Sequence, residues 1–359
     1  MLQSEKASRE ENGEKRIVFL DILRILAAFS IVLLHVSGPY WSSGDVGSLD
    51  WKLFTIYNGS VRWAVPAFVM ISGSLMLGRN LSLKQIYHKY LPRILIAYFF
   101  WSFAYCMLDT VKYHYDLITI AEVFISGPFH LWFLPMMAGL YLVIPFLDRI
   151  ISSRSLSKYF LGMSLFFAVL LPWVVTFAGK LPGNIGGSLQ ALINNLNLHL
   201  VLGFSGYFVL GYYLSKENLS KVTCRLVYIL GILGWAATIT LTIIFSLRRE
   251  QPTEMFFGPL NPNVLLMAAG IFLYFKNHMQ YKSTLSRFSL FARKLSICSM
   301  GIYLLHPMVK QLCLKLFPLT GSNPGIILYI PLIACLIFAV TACITALLAK
   351  VPVIKKLIL

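Results

Sequence analysis

Three polar side chains interrupt the first long apolar stretch, residues 17–37, and their types and spacing suit chemistry. They are Asp21, Arg24 and His35. Arg24 and His35 are almost three helical turns apart, so their side chains lie on nearly one line with roughly 16 Å of axial rise between them. Asp21 precedes Arg24 by one turn on the same side. In a membrane helix such groups usually face a bundle interior or a water-filled cavity, and they often mark a functional site.

Each of these residue types has a chemical role and a purely structural alternative. Imidazole titrates near neutral pH, so His35 is suited to take a proton from an acceptor hydroxyl. A guanidinium group stays charged and requires an anion, so Arg24 can hold an anionic ligand while Asp21 orients it. Alternatively, His35 forms a structural hydrogen bond between helices, and Asp21 pairs with Arg24 only to stabilise the helix. We predict catalytic roles for all three residues, with His35 as the base.

Seven further polar or aromatic residues in apolar surroundings are predicted to bind substrate. They are Arg62, Arg93, His130, Trp132, Tyr141, Tyr303 and His306. The open alternatives are a snorkelling Arg62, a membrane-interface anchor for Arg93, an interfacial aromatic belt for Trp132 and a helix kink at His306. The sequence contains no HExxH, GxGxxG, GxSxG or Walker motif and no convincing metal-ligand spacing, so no metal site is predicted.

Composition indicates a membrane protein. Of 359 residues, 58% are hydrophobic and only 13% are charged, about half the charged share of ordinary soluble domains. The net charge of +17 would suit a nucleic-acid partner. However, the charges fall in short segments between apolar runs, so we expect no nucleic-acid binding. The six cysteines form no CxxC pair and mostly lie in apolar runs, where they are predicted to be small buried hydrophobic residues.

Ten apolar segments approach the length of about 20 residues that crosses a bilayer. They are residues 17–37, 61–77, 91–108, 131–147, 159–178, 198–214, 226–247, 264–275, 295–312 and 325–349. With the N-terminus inside, most Lys and Arg residues fall in the inner connections, as the positive-inside rule requires. We therefore predict an all-α polytopic membrane protein with about ten transmembrane helices and both termini cytoplasmic.

The domain organisation expected from this pattern is simple. Residues 1–16 form a charged, disordered cytoplasmic leader, and residues 17–359 form a single transmembrane domain. The first apolar run lacks a clear cleavage site and is predicted to be a retained span. The longer outer connections, residues 38–60, 109–130, 179–197 and 248–263, are expected to be loops at the mouth of a cavity.

Taken in order, the motifs resemble those of the acyltransferase-3 family of multi-pass membrane O-acyltransferases. The first is D-x-x-R-x(10)-H, which reads here as Asp21, Arg24 and His35. The others are Arg62 with VPAFVMISG, Arg93 with Tyr98 and Trp101, HLWFL from His130, Tyr141 with Pro145, and GIYLLHP with His306. The short chain, without an appended esterase-like domain, is most similar to the bacterial subgroup that acetylates surface polysaccharides such as enterobacterial common antigen.

The resemblance implies a function and a location. Acetyl-CoA, or another acyl-CoA, would be a cytoplasmic co-substrate held by Arg24 and Arg93, with no permanently bound cofactor. His35 would serve as base or carry the acyl group, and a hydroxyl of a polysaccharide or lipid-linked sugar would receive it outside. The protein would then lie in the bacterial plasma membrane. The alternative function is a polytopic transporter or flippase of a glycan or small anion.

Overall fold

The computed structural model describes residues 18–178, 185–196, 198–279, 287–318 and 325–351. The predicted leader, residues 1–16, lies outside the described residues, as does the extreme C-terminus. Every regular element in the described part is helical, and no strand occurs there. Together with five to seven candidate membrane-spanning helices, this confirms the prediction of an all-α polytopic membrane protein.

Fifteen helices, numbered in chain order, make up the described part of the chain. They are α1 Val18–Ser43, α2 Leu49–Ser60, α3 Ala64–Met76, α4 Leu83–Tyr113, α5 Leu117–Ser126, α6 Phe133–Leu142, α7 Ile144–Ile151, α8 Arg154–Phe177, α9 Ile185–Leu196, α10 His199–Lys216, α11 Lys221–Arg249, α12 Pro262–His278, α13 Arg287–Ile297, α14 Ser299–Leu316 and α15 Ile326–Leu348. A short 3₁₀ turn, Phe129–Trp132, precedes α6.

Five of these helices are long and apolar enough to cross a membrane alone: α1, α4, α8, α11 and α15. Two further spans arise if α5 is joined to the 3₁₀ turn with α6, and α13 to α14, across bends of 42° and 61°. Within the described residues, all ten predicted segments are largely helical. The count of ten spans and the cytoplasmic termini stay predictions, because the remaining helices are too short or too polar to count as spans on composition alone.

The prediction of outer loops is wrong for three of the four connections, which contain a helix. Residues 38–60 contain α2, residues 109–130 contain α5, and residues 179–197 contain α9. Capping explains the first two, because Ser48 and Asp116 accept hydrogen bonds from the backbone N–H of Trp51 and Thr119. The fourth connection does lack a helix between Glu250 and Asn261.

Helix α3 is too short to span a bilayer unaided and is instead buried inside the bundle. Gly73 of α3 and Gly211 of α10 allow the two backbones to touch. A Cβ atom added at Gly73 would lie 1.9 Å from the carbonyl oxygen of Phe208, and one at Gly211 would lie 2.0 Å from that of Met70. This close crossing holds α3 in place as one wall of the central cavity.

Gly211→Ala is expected to destabilise the fold by about 1–3 kcal/mol or more, because neither backbone can move to admit a methyl group. The matched control is Gly162→Ala in α8, where no atom lies within 4 Å of the added Cβ. The measurement is thermal unfolding of the full chain in detergent. Equal melting temperatures for the two variants would contradict the close crossing.

Candidate functional site

A cavity of about 490 Å³ lies at the centre of the bundle, and α1 supplies three residues of its wall. These are Arg24, Ile31 and His35. The prediction that Arg24 and His35 share one face is therefore confirmed, and both contact the same space. Their separation of roughly 16 Å along α1 makes the cavity elongated along the helix axis.

The Arg24 end of the cavity carries two cations and two phenols. Arg93 and Tyr90 of α4 line this end together with Tyr141 of α6. The ring centroids of Tyr90 and Tyr141 are 6.2 Å apart, and Tyr141 lies within electrostatic reach of both Arg93 and Arg24. Two guanidinium groups facing one cavity in a membrane protein suit a ligand with several negative charges, since each can bind a phosphate through parallel hydrogen bonds.

The His35 end is built from imidazole and aromatic rings. His130 and Trp132 of the 3₁₀ turn and Tyr303 of α14 line the cavity beside His35. The centroid of Phe129 lies 5.2 Å from that of His35 in an edge-to-face contact. His130 is only 2% exposed, and neither of its ring nitrogens has a hydrogen-bond partner of normal geometry. Two imidazoles facing one end of the cavity can accept or donate protons there.

His306 lies behind His35 and is fully buried. The two rings stack with centroids 5.1 Å apart and planes inclined by 22°. The centroid of His130 is 5.7 Å from that of His306, so the three imidazoles form one cluster. His306 does not belong to the cavity wall. Its predicted role in substrate binding stays a prediction, and the structure places it where it supports His35.

Pro307 determines how the His306 ring is held. A proline within a helix has no N–H for the carbonyl four residues earlier, which here belongs to Tyr303. His306 Nδ1 lies 2.7 Å from that carbonyl oxygen and 3.2 Å from that of Ile302. Because a carbonyl oxygen only accepts, Nδ1 carries the hydrogen, and Nε2 of the neutral ring keeps its lone pair. Nε2 is buried with no hydrogen-bond partner.

Two tyrosine hydroxyls form hydrogen bonds that join the 3₁₀ turn and α4 to α14. The Tyr303 hydroxyl donates to the backbone carbonyl of His130, and the Tyr105 hydroxyl donates to that of Leu304 at 2.8 Å. The ring of Tyr105 also packs edge-to-face on His130, with centroids 4.9 Å apart. Sequence reasoning missed Tyr105, although a tyrosine in an apolar run requires a polar partner for its hydroxyl.

Between the two ends the wall is mostly apolar, with two serines from the bend at Cys298. Ser296 is the next-to-last residue of α13 and Ser299 begins α14, and both line the cavity. The Ser296 hydroxyl is fully buried and has no hydrogen-bond partner. Ser299 precedes His306 by seven residues, about 10 Å of helix rise, which places these hydroxyls between the arginines and the imidazoles. The serines were not predicted, because their position depends on the bend.

Besides His306, two predicted site residues lie outside the cavity wall. Asp21 is buried in the first turn of α1, one turn from Arg24. Arg62 donates to the Asn58 side chain, and its guanidinium carbon is 4.0 Å from the centroid of the Phe257 ring. These contacts fit a structural role in joining α2 to residues 250–261. The catalytic role of Asp21 and the substrate-binding role of Arg62 stay predictions.

Two substitutions of His306 distinguish the roles of its two ring nitrogens. In His306→Asn the side-chain amide can replace Nδ1–H and still donate to Tyr303, whereas the amide of His306→Gln reaches the position of Nε2. Because Nδ1 is bonded to the Tyr303 carbonyl and Nε2 has no hydrogen-bond partner, we expect the Asn variant to keep about fivefold more activity than the Gln variant, the worth of one hydrogen bond. Activity of the two variants at equal protein amount is the measurement. Greater activity of the Gln variant would instead assign the main role to Nε2.

Comparison with known protein families gives a match over most of the chain. Residues 17–349 match the family model described as an acyltransferase domain. The match includes every described helix and every cavity residue named above. No curated protein and no solved structure matches the chain.

Proposed function

The chain belongs to the acyltransferase-3 family, and on that basis we propose that it moves an acetyl group from acetyl-CoA to a sugar hydroxyl. Membership of the family makes it a multi-pass membrane acyltransferase. The proposal adds the donor, the acceptor and their sides of the membrane. Acetyl-CoA enters from the cytoplasm at the Arg24 end, and a sugar of a surface polysaccharide or of its lipid-linked precursor enters at the His35 end. The membrane is the bacterial plasma membrane.

One observation carries the proposal: a single cavity joins two arginines at one end to two imidazoles at the other. Phosphates and a thioester lie at opposite ends of acetyl-CoA, with the uncharged pantetheine arm between them. Arg24 and Arg93 suit the phosphates because a guanidinium group retains its charge in a low-dielectric environment. The largely apolar middle wall suits the arm, and the unpartnered Ser296 hydroxyl can donate to one of its amide carbonyls.

The chemistry at the His35 end is then a direct acyl transfer. The neutral imidazole of His35 takes the proton of the sugar hydroxyl as its oxygen attacks the thioester carbonyl. The new carbon–oxygen bond forms, the carbon–sulfur bond breaks, and the coenzyme A thiolate leaves. The proton on His35 passes to that thiolate, which returns the imidazole to its neutral form. His130 faces the same space and can donate a hydrogen bond to the developing oxyanion.

The rings packed against the His35 imidazole support its role as the base. His306 on one side and Phe129 on another restrict the rotation of the imidazole. A base held in place avoids the entropic cost of finding the attacking hydroxyl at each turnover.

Mass spectrometry of surface polysaccharides from cells with and without the protein tests the proposal. Labelled acetate should appear as ester groups on one sugar only when the protein is present, while the amount of polysaccharide stays constant. A fall in surface polysaccharide with unchanged acetate per sugar would instead assign the protein to glycan transport. Unchanged polysaccharide and unchanged acetylation would contradict both functions.

A further inference from the structure

The backbone carbonyl of His35 lacks its usual helical hydrogen-bond donor, because the residue four positions later in α1 is a proline. Pro39 lies within the helix, which continues to Ser43. Since proline has no N–H, it cannot donate the helical hydrogen bond to the carbonyl of the residue four positions before it. That residue is His35. A carbonyl group in a membrane protein needs another donor, because no solvent is present in the apolar region to replace it.

Lys310 supplies that donor. Its Nζ atom donates to the His35 carbonyl oxygen at 3.2 Å. The lysine is half-buried on α14, a helix that packs against α1, and the bond joins residues 275 positions apart in sequence. A lysine near the outer end of a membrane helix normally extends its ammonium group to the interface. Here the ammonium group instead faces the one backbone carbonyl that Pro39 leaves without its helical donor.

Lys310 and His306 act on His35 from the same face of α14, because they are one helical turn apart. His306 stacks on the imidazole ring, and Lys310 binds the backbone carbonyl of the same residue. The two contacts fix different degrees of freedom. The stack limits ring rotation, whereas the carbonyl bond fixes the height and tilt of α1 at the point where the proline weakens the helix.

We propose that Lys310 is a positioning residue for acyl transfer, which holds His35 in place by occupying the donor site that Pro39 leaves open. This inference rests on the proposed function, because it assigns His35 as the base. Lys310 does not line the cavity, so it does not bind the donor or the acceptor. Removing it should therefore affect the rate of transfer and leave donor binding nearly unchanged.

Kinetics of Lys310→Met test this. Inverted membrane vesicles containing the full chain are supplied with labelled acetyl-CoA, and label in the endogenous glycan is measured. We expect kcat to fall about tenfold and KM for acetyl-CoA to change less than about twofold, as for a small misplacement of a reacting group. The matched control is Lys315→Met, an exposed lysine on the same helix. Equal kcat values for the two variants, or a large rise in KM for Lys310→Met, would overturn the proposal.

Substitution of Pro39 provides a second, more specific test. Pro39→Ala restores a backbone N–H that can donate to the His35 carbonyl, so the lysine becomes less necessary. On the Pro39→Ala background, Lys310→Met should lower kcat by less than about threefold. The smaller loss of kcat on this background is the coupling expected when two groups share one partner, here the His35 carbonyl. An equal loss on both backgrounds would show that the lysine acts by another route, and would overturn the proposal.

Failure of this inference is distinguishable from failure of the proposed function. If vesicles with the unaltered chain incorporate no label, the proposed function is wrong. If they incorporate label, and His35→Ala abolishes incorporation while Lys310→Met does not lower it, only the role of Lys310 is wrong. Melting temperatures of the variants, measured in detergent, distinguish a displaced His35 from an unfolded protein.

Discussion

Replacement of His35 by alanine is expected to lower acyl transfer by about 10²- to 10⁴-fold, the usual contribution of a general base. The loss follows from geometry, since His35 is the imidazole that both lines the cavity and is held by a stacked neighbour. Neither His306, which is outside the cavity wall, nor His130, on a different element, can take its position. The measurement is label from acetyl-CoA incorporated into glycan at equal amounts of protein.

The control for this prediction is His88→Ala. His88 is an exposed histidine on α4 that does not line the cavity, so its loss should not change acyl transfer. Melting temperature in detergent shows whether either variant has lost its fold. Acylation per sugar that is the same with His35→Ala as with the unaltered chain would refute His35 as base. Reduced glycan export with normal acylation per sugar would instead support a carrier.

Arg24→Met is expected to have the second largest effect, which appears in KM. Removing one charged hydrogen-bonding group from a phosphate should raise KM for acetyl-CoA by about 10- to 100-fold. The effect on kcat should be much smaller, since Arg24 lies roughly 16 Å along α1 from His35 and would not reach the thioester of the proposed donor. Methionine keeps most of the side-chain volume, so the change tests charge more than packing.

Comparison with two further variants shows whether the cavity arginines act together. Arg93→Met should also raise KM, and the double variant should differ from the sum of the single effects, because both groups would hold one ligand. Arg149→Met, an exposed arginine on α7 away from the cavity, is the control. A fall in kcat with unchanged KM for Arg24→Met would contradict the donor-binding role and indicate that Arg24 mainly orders α1 with Asp21.

The amino-acid sequence by itself determined the helical segments and the line formed by Arg24 and His35. Both follow from local rules. An apolar run must satisfy its own backbone hydrogen bonds in lipid, which requires a helix. Residues 11 positions apart in a helix share a face whatever surrounds them. The same rules made the ten apolar segments recognisable before any packing was known.

The lengths of individual helices were decided at tertiary level. Helix α3 is only 13 residues long, and its burial depends on the close crossing at Gly73 and Gly211. The segment predicted to form one span around Cys298 is bent by 61° between α13 and α14. Hydropathy reports how apolar a segment is, and it does not report whether lipid or other helices surround that segment.

Only the tertiary structure decided which side chains surround His35. The contacts to His306, Phe129 and Lys310 join residues from separate helices and turns, and no local pattern fixes those pairings. The same packing placed Arg62 and Asp21 outside the cavity wall, although their types and spacing suggested a site. The physical reason is that side-chain spacing sets only the face of a helix, whereas packing against distant parts of the chain sets what that face meets.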